Sequence, residues 1–172
     1  RAGDVLASLA DVRAMPFVDP NRIALIGMSH GGWSIMDLLS LDAENRLPLN
    51  LTRMPGDPAD PPLSGVAAVV LLYPWCGPTN RAVDAGWKNP APVLFMLADD
   101  DTIAPAAECR AVAFTLEAEG RAVAVVGFAG VTHAFDQQER AGFSSLVFDE
   151  GATRRAIDEA LAFLDAAAAE RH

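Results

Sequence analysis

Four short apolar runs constrain this chain more than any other feature of its sequence. They are Ile23–Ile26 ending in Gly27, Val66–Tyr73 stopped by Pro74, Val93–Leu97 between Pro92 and an acidic cluster, and Ala122–Val126. The first three read as strands covered on both faces, which is the environment of a parallel sheet, and the last as a fourth strand. The segments between carry helical spacing instead. Val5, Leu6, Leu9 and Val12 precede Pro16 and Asp19-Pro20, and Trp33, Ile35, Met36, Leu38 and Leu39 follow the first run. A third helix opens near Pro105 and stops at Gly120. In a fourth, Ile157, Leu161 and Leu164 share a face with Ala160 and Phe163 beside them. Such alternation implies right-handed crossovers and a doubly wound, mainly parallel α/β sheet, with ligands bound outside the C-terminal ends of its strands. Residues 42–64 contain Pro48, Pro55, Gly56, Pro58, Pro61 and Pro62. That density of breakers excludes regular structure from most of the stretch, and a loop of such length is usually functional or mobile. Residues 74–91 read as mostly irregular for the same reason.

The chain of 172 residues is long enough to bury a substantial core, and no apolar run approaches the roughly 18 residues that span a bilayer. Thirteen basic against twenty-three acidic side chains give a net charge of -10, with the cations scattered. That balance argues against nucleic acid or an anionic membrane surface as a partner. Cys76 and Cys109 lack the spacing of a metal or redox motif and read as either free thiols or one disulfide. The chain begins Arg1-Ala2-Gly3-Asp4, with neither an initiator methionine nor a signal core, and is expected to be cut from something longer; its compartment stays open.

The sequence places three chemical groups at strand ends. Gly27-Met28-Ser29-His30-Gly31 fits G-x-S-x-G between a buried strand and a helix. A turn that tight needs small neighbours, and it holds the serine out at the top of the sheet. The backbone amide of His30, at the start of the helix, points into the same space and can bind an oxyanion. A serine hydroxyl needs a base, most often histidine. Of the three histidines, His172 ends the chain and His30 lies in the elbow, which leaves His133 in the loop after the fourth strand. The base in turn needs a carboxylate to set its tautomer. Asp99-Asp100-Asp101 follows the third strand; three acids in a row ordinarily make a solvated turn, but Asp101 reaches furthest towards the histidine loop. Serine, acid, histidine is also the chain order of α/β-hydrolases. Trp33, Tyr73 and Trp75 lie near the same strand ends and are candidates to line an acyl or aryl pocket.

These residues resemble the dienelactone hydrolase family of α/β-hydrolases over essentially the whole chain. The likeness is carried by Asp19-Pro20-Asn21-Arg22 leading into IALIGMSHGG, by YPWCG at 73–77, by PVLFMLADDDTIAPAAEC at 92–109 and by FAGVTHAFD at 128–136. It implies Asp101 as the catalytic acid, and it implies that Cys76 and Cys109 sit close together at adjacent strand ends, as a disulfide or as two buried thiols. Ala98, Thr102 and Ile103 depart from the family's usual residues. The best-known members use cysteine at the elbow, so Ser29 resembles a serine-using branch and dienelactone itself is an open question as substrate.

The resemblance implies an α/β-hydrolase fold lacking its N-terminal strands. Residues 1–172 would form a partial domain running from the elbow strand to the C-terminal helix, partnered by the missing N-terminal part. The expected activity is cleavage of small-molecule carboxylic esters or lactones through an acyl-enzyme, with no metal or cofactor. The alternatives are the C-terminal part of a prolyl-oligopeptidase-type peptidase and an inactive fragment serving as a binding or structural domain.

Overall fold

The computed structural model describes residues 1–49, 51–53, 55, 61–139 and 144–169. His172, and Gly56 and Pro58 of the proline-rich stretch, lie outside the described residues. The elements are α1 (Ala2–Arg13), β1 (Ile23–Met28), α2 (His30–Ala43), β2 (Val66–Leu72), α3 (Ala82–Ala85), β3 (Val93–Ala98), α4 (Ala106–Ala118), β4 (Val123–Phe128) and α5 (Glu150–Ala169). The four strands form one parallel sheet in the order β1-β2-β3-β4, in register as Ile26↔Val70, Val70↔Leu94 and Leu94↔Ala124. Every strand therefore ends at the same edge of the molecule.

Successive strand residues point to opposite faces, and both faces are filled. Val69, Leu71, Val93, Phe95 and Leu97 pack with Leu6 and Leu9 of α1, Ile35 and Leu39 of α2, Ala82 of α3 and Val112 and Leu116 of α4. Val70, Leu72, Leu94, Met96 and Ala98 instead meet Ala156 and its neighbours on α5, with Phe128, Val131 and Phe135. Two-sided covering is why β2 and β3 read as unbroken apolar runs. Phe95 is wholly buried, and truncating such a side chain to alanine costs about 3–5 kcal/mol.

Two expectations need correction. β1 is not buried on both faces: Ile26 is 55% and Met28 50% exposed. The cause is position, because β1 is one of the two edge strands of the sheet and the α5 side chains in the core pack with β2, β3 and Phe128 of β4. In α5, Ile157 and Leu161 are also exposed, at 53% and 56%. The packed face is made by Ala152, Ala156, Ala160, Phe163 and Leu164, since small residues let a helix approach a flat sheet closely. Arg155 fixes the rotation: its guanidinium lies 4.8 Å from the centroid of the Phe128 ring and bonds the Gly127 carbonyl on β4. Ile157, about 200° further round the helix, and Leu161 one turn beyond therefore face the β1 side. Ile26 and Met28 of β1 and Ile157 and Leu161 of α5 are thus exposed apolar side chains.

Candidate active site

Ser29 occupies the turn from β1 into α2 with φ 50° and ψ -117°, a region non-glycine residues rarely enter. Its amide donates to the Leu72 carbonyl at 2.9 Å, and its carbonyl accepts from the Trp33 amide. Turning this sharply brings β1 against the first turn of α2. A Cβ on Gly27 would lie 2.7 Å from the Gly32 nitrogen, and one on Gly32 would lie 2.8 Å from Pro74 Cβ. The close approach is thus made by Gly27 and Gly32; Gly31, the second glycine of the motif, faces open space. The amide of His30 begins α2, where it has no intrahelical acceptor.

His133 is 7% exposed, and its Nε2 lies 2.7 Å from Ser29 Oγ. Its Nδ1 lies 2.6 Å from Asp101 Oδ2. An ionised carboxylate only accepts, so Nδ1 carries the ring proton and Nε2 is left to accept from the serine. Asp101 is 6% exposed and its second oxygen accepts from the amides of Ile103 and Ala104, both at 2.8 Å. The carboxylate is held from both sides. The three consecutive acids divide their work: Asp99 is ion-paired with Arg110 at 2.7 Å, Asp100 is exposed, and only Asp101 turns inward. Backbone bonds from Asp99 to the Phe128 carbonyl and from Asp100 to the Val131 carbonyl stitch the acid loop to the histidine loop.

The three aromatic candidates have different surroundings. Tyr73 is 4% exposed and sits beneath the histidine, its hydroxyl donating to Asp136 Oδ1 at 2.6 Å. Burial, then that bond and the nearby carboxylates of Asp136 and Asp101, pushes its phenol well above the usual tyrosine range. Trp75 folds over Gly77 and donates to Thr79 Oγ1 at 3.0 Å. Trp33 is half-buried, packs edge-on against His30 at 5.0 Å, and has a buried indole N–H with no hydrogen-bond acceptor among the described residues. Burial and the neighbouring Arg1 guanidinium push the His30 imidazole below the ordinary histidine range. Sequence reasoning assigns no role to Asp136, the last residue of the FAGVTHAFD stretch; only the fold brings Tyr73 to it.

Cys76 and Cys109 are joined as a disulfide that ties the segment after β2 to the first turn of α4. Among the described residues no three histidine, cysteine or acidic side chains are grouped to hold a metal ion, and no helix is long and apolar enough to cross a membrane.

Comparison with known proteins finds the same fold in solved structures of esterases. The Est2 esterase of the planctomycete Thermogutta terrifontis, in its propionate-bound form, superposes with a TM-score of 0.70 at 18% identity, covering 95% of this chain and 63% of that one. The carboxylesterase Cest-2923 of Lactobacillus plantarum gives 0.66 at 20%, covering 95% and 65%. The dienelactone hydrolase-like promiscuous phosphotriesterase P91 from metagenomic libraries gives 0.67 at 18%, covering 92% and 58%. The chain thus spans less than two thirds of the length of each of these proteins, and at such identities the likeness is one of fold. No curated protein sequence matches it. The model of the dienelactone hydrolase family matches residues 59–168, a span that holds Asp101 and His133 and begins after Ser29. By that match over more than half of its length, the chain belongs to the dienelactone hydrolase family.

Proposed function

We propose that the chain carries the catalytic triad of a serine hydrolase that cleaves carboxylic esters or lactones through an acyl-enzyme. The observation that carries this reading is the continuous hydrogen-bonded line from Ser29 Oγ through His133 to Asp101, at 2.7 and 2.6 Å. Both spacings lie in the range that proton transfer requires. In the first half-reaction His133 Nε2 takes the Ser29 proton as Oγ attacks the ester carbonyl, and the Asp101 carboxylate stabilises the imidazolium. The His30 amide donates to the oxyanion. His133 then returns the proton to the leaving alcohol, and in the second half-reaction it activates the water that releases the acid. The names of the structural relatives support an ester as substrate; no observation favours a peptide or a purely structural role.

The partner proposed is a further part of the same domain. A groove of about 470 Å³ lined by Val5, Leu9, Ile26 and Gly31 runs between α1 and β1, and Ile26, Met28, Ile157 and Leu161 are exposed. An unpaired strand edge and exposed apolar side chains call for a cover, and the greater length of the relatives supports finding it in the same protein. A second oxyanion donor from that part would contribute about 3 kcal/mol to the barrier reduction.

The test is reaction of the chain and of its Ser29→Ala variant with a fluorophosphonate probe. Labelling abolished by the substitution is the expected result. A folded chain that is not labelled overturns Ser29 as an activated nucleophile in this chain.

A further inference from the structure

We propose that Tyr73 and Asp136 form a strut that positions His133, making Tyr73 a positioning residue for the base instead of a wall of the substrate pocket. The inference rests on the reading of Ser29, His133 and Asp101 as a triad.

The argument begins with what Asp101 leaves undone. Its single bond to Nδ1 fixes one corner of the imidazole, and a ring held at one corner can swing about that contact. Catalysis needs Nε2 to stay within reach of Ser29 Oγ, so a second restraint is required. Tyr73 is placed to supply it. It follows β2 directly and adopts φ 35°, a conformation that bulky side chains rarely take and that persists only where surrounding contacts enforce it. Those contacts are visible. The Tyr73 amide donates to the Met96 carbonyl at 2.7 Å, and the turn swings the ring back under the histidine. The Tyr73 and His133 ring centroids are 4.8 Å apart at 63°, an edge-to-face pair. Tyr73 makes a second such contact with Phe135, at 5.6 Å and 75°.

The hydroxyl completes the device. It donates 2.6 Å to Asp136 Oδ1, three residues beyond His133, across a backbone that itself turns through positive φ at Ala134. The histidine loop is thereby anchored on both sides of His133: at Val131, whose carbonyl takes the Asp100 amide, and at Asp136, which takes the tyrosine. A phenol donating to a carboxylate makes a strong, charge-assisted bond. Because that hydroxyl is committed to Asp136, its part is to hold the loop, and it is not offered to substrate.

The test compares the full chain with its Tyr73→Phe, Asp136→Ala and Asp136→Asn variants by two readouts. One is the low-field Nδ1–H proton resonance of His133, which needs no turnover; the other is the rate of fluorophosphonate reaction at Ser29. Tyr73→Phe and Asp136→Ala are expected to broaden or abolish the resonance and to slow labelling about tenfold. Asp136→Asn keeps an amide oxygen that accepts the tyrosine's bond, and should restore the resonance and stay within about threefold of the parent rate. A parent-like resonance in Tyr73→Phe overturns the proposal, as does an Asp136→Asn variant as damaged as Asp136→Ala. A parent chain that shows the His133 resonance but no labelling refutes the triad reading instead, and the resonances of the variants still decide the strut.

Discussion

Replacing Asp101 by asparagine removes one charge and almost no volume, so its consequence follows from hydrogen-bond roles alone. Asp101 Oδ1 receives two backbone amides, from Ile103 and Ala104, while Oδ2 receives His133 Nδ1–H. In Asp101→Asn the amide oxygen must take the position facing the two backbone donors, because an NH2 group there would set three donors against one another. The NH2 group then faces Nδ1, and Nδ1 must accept. The ring proton moves to Nε2, which now donates to Ser29 Oγ and cannot receive its proton. The fold keeps both amide bonds, so stability should fall little, but the nucleophile loses its base. A forced tautomer of this kind costs a serine hydrolase about 10^4 in rate, equivalent to about 5.4 kcal/mol. Fluorophosphonate labelling rates for the parent and variant measure the loss, and nitrogen chemical shifts of His133 report which ring nitrogen is protonated. Labelling within about tenfold of the parent, with Nε2 protonated, would refute the reasoning.

Other outcomes follow from the same contacts. The Cys76–Cys109 bridge has a sequence separation of 33, so a Cys76→Ala/Cys109→Ala variant should lose about 3.7 kcal/mol by chain entropy and melt about 10 °C lower; equal melting temperatures under oxidising conditions would contradict this. Gly32→Ala sets a Cβ 2.8 Å from Pro74 Cβ and should cost about 1–3 kcal/mol. Gly31→Ala meets nothing within 4 Å and should be neutral or stabilising by up to about 1 kcal/mol, so denaturant midpoints for the pair ought to move apart. Burial pushes the Asp42 carboxyl above the ordinary carboxylate range. Its folded pKa lies above the unfolded one, so its contribution to stability is complete below the unfolded pKa and lost as pH rises through the folded value. Asp42→Asn should therefore melt higher than the parent at neutral pH, with the gap closing below about pH 4 in a series of thermal melts.

The legible parts of this chain are those in which one physical cause leaves one sequence trace. β2 and β3 are apolar throughout because helices cover both faces, and their runs could be read directly. β1 leaves the same trace in Ile23–Ile26, yet Ile26 is half exposed: an apolar run records the strand's need for cover, without saying which chain segment provides it. In α5 the periodicity drew attention to Ile157 and Leu161, whereas Ala152, Ala156 and Ala160 face the sheet. Hydrophobicity weighs large side chains, while close packing on a flat sheet selects small ones. Ser29, Asp101 and His133 were each bound to a strand end by local context, so their meeting depended only on the strands being parallel and adjacent. Tyr73 shared that context but not its outcome. One positive φ aims its ring beneath His133, and no residue type near it announces that turn.

The placement of polar support around the site follows a single rule. Ser29 Oγ, His133 Nε2 and Nδ1 and Asp101 Oδ2 form one hydrogen-bonded line across three loops, and apart from the Ile103 and Ala104 amides on Asp101 the restraints around it come from a neighbouring strand end. Ser29 bonds the carbonyl of Leu72, the Asp99 and Asp100 amides bond Phe128 and Val131, and Tyr73 bonds Met96 and Asp136. A displacement of one strand against the next would therefore open the line at a point set by which strands move. Sliding β1 against β2 would separate serine from histidine, and sliding β3 against β4 would part histidine from acid. The β2–β3 contacts are buried between core layers, whereas β1 and β4 are edge strands with exposed side chains, Ile26 at 55% and Val125 at 39%. Both contacts of the line thus involve an edge strand, and a cover over the exposed side chains of β1 would stiffen the serine–histidine contact without touching substrate.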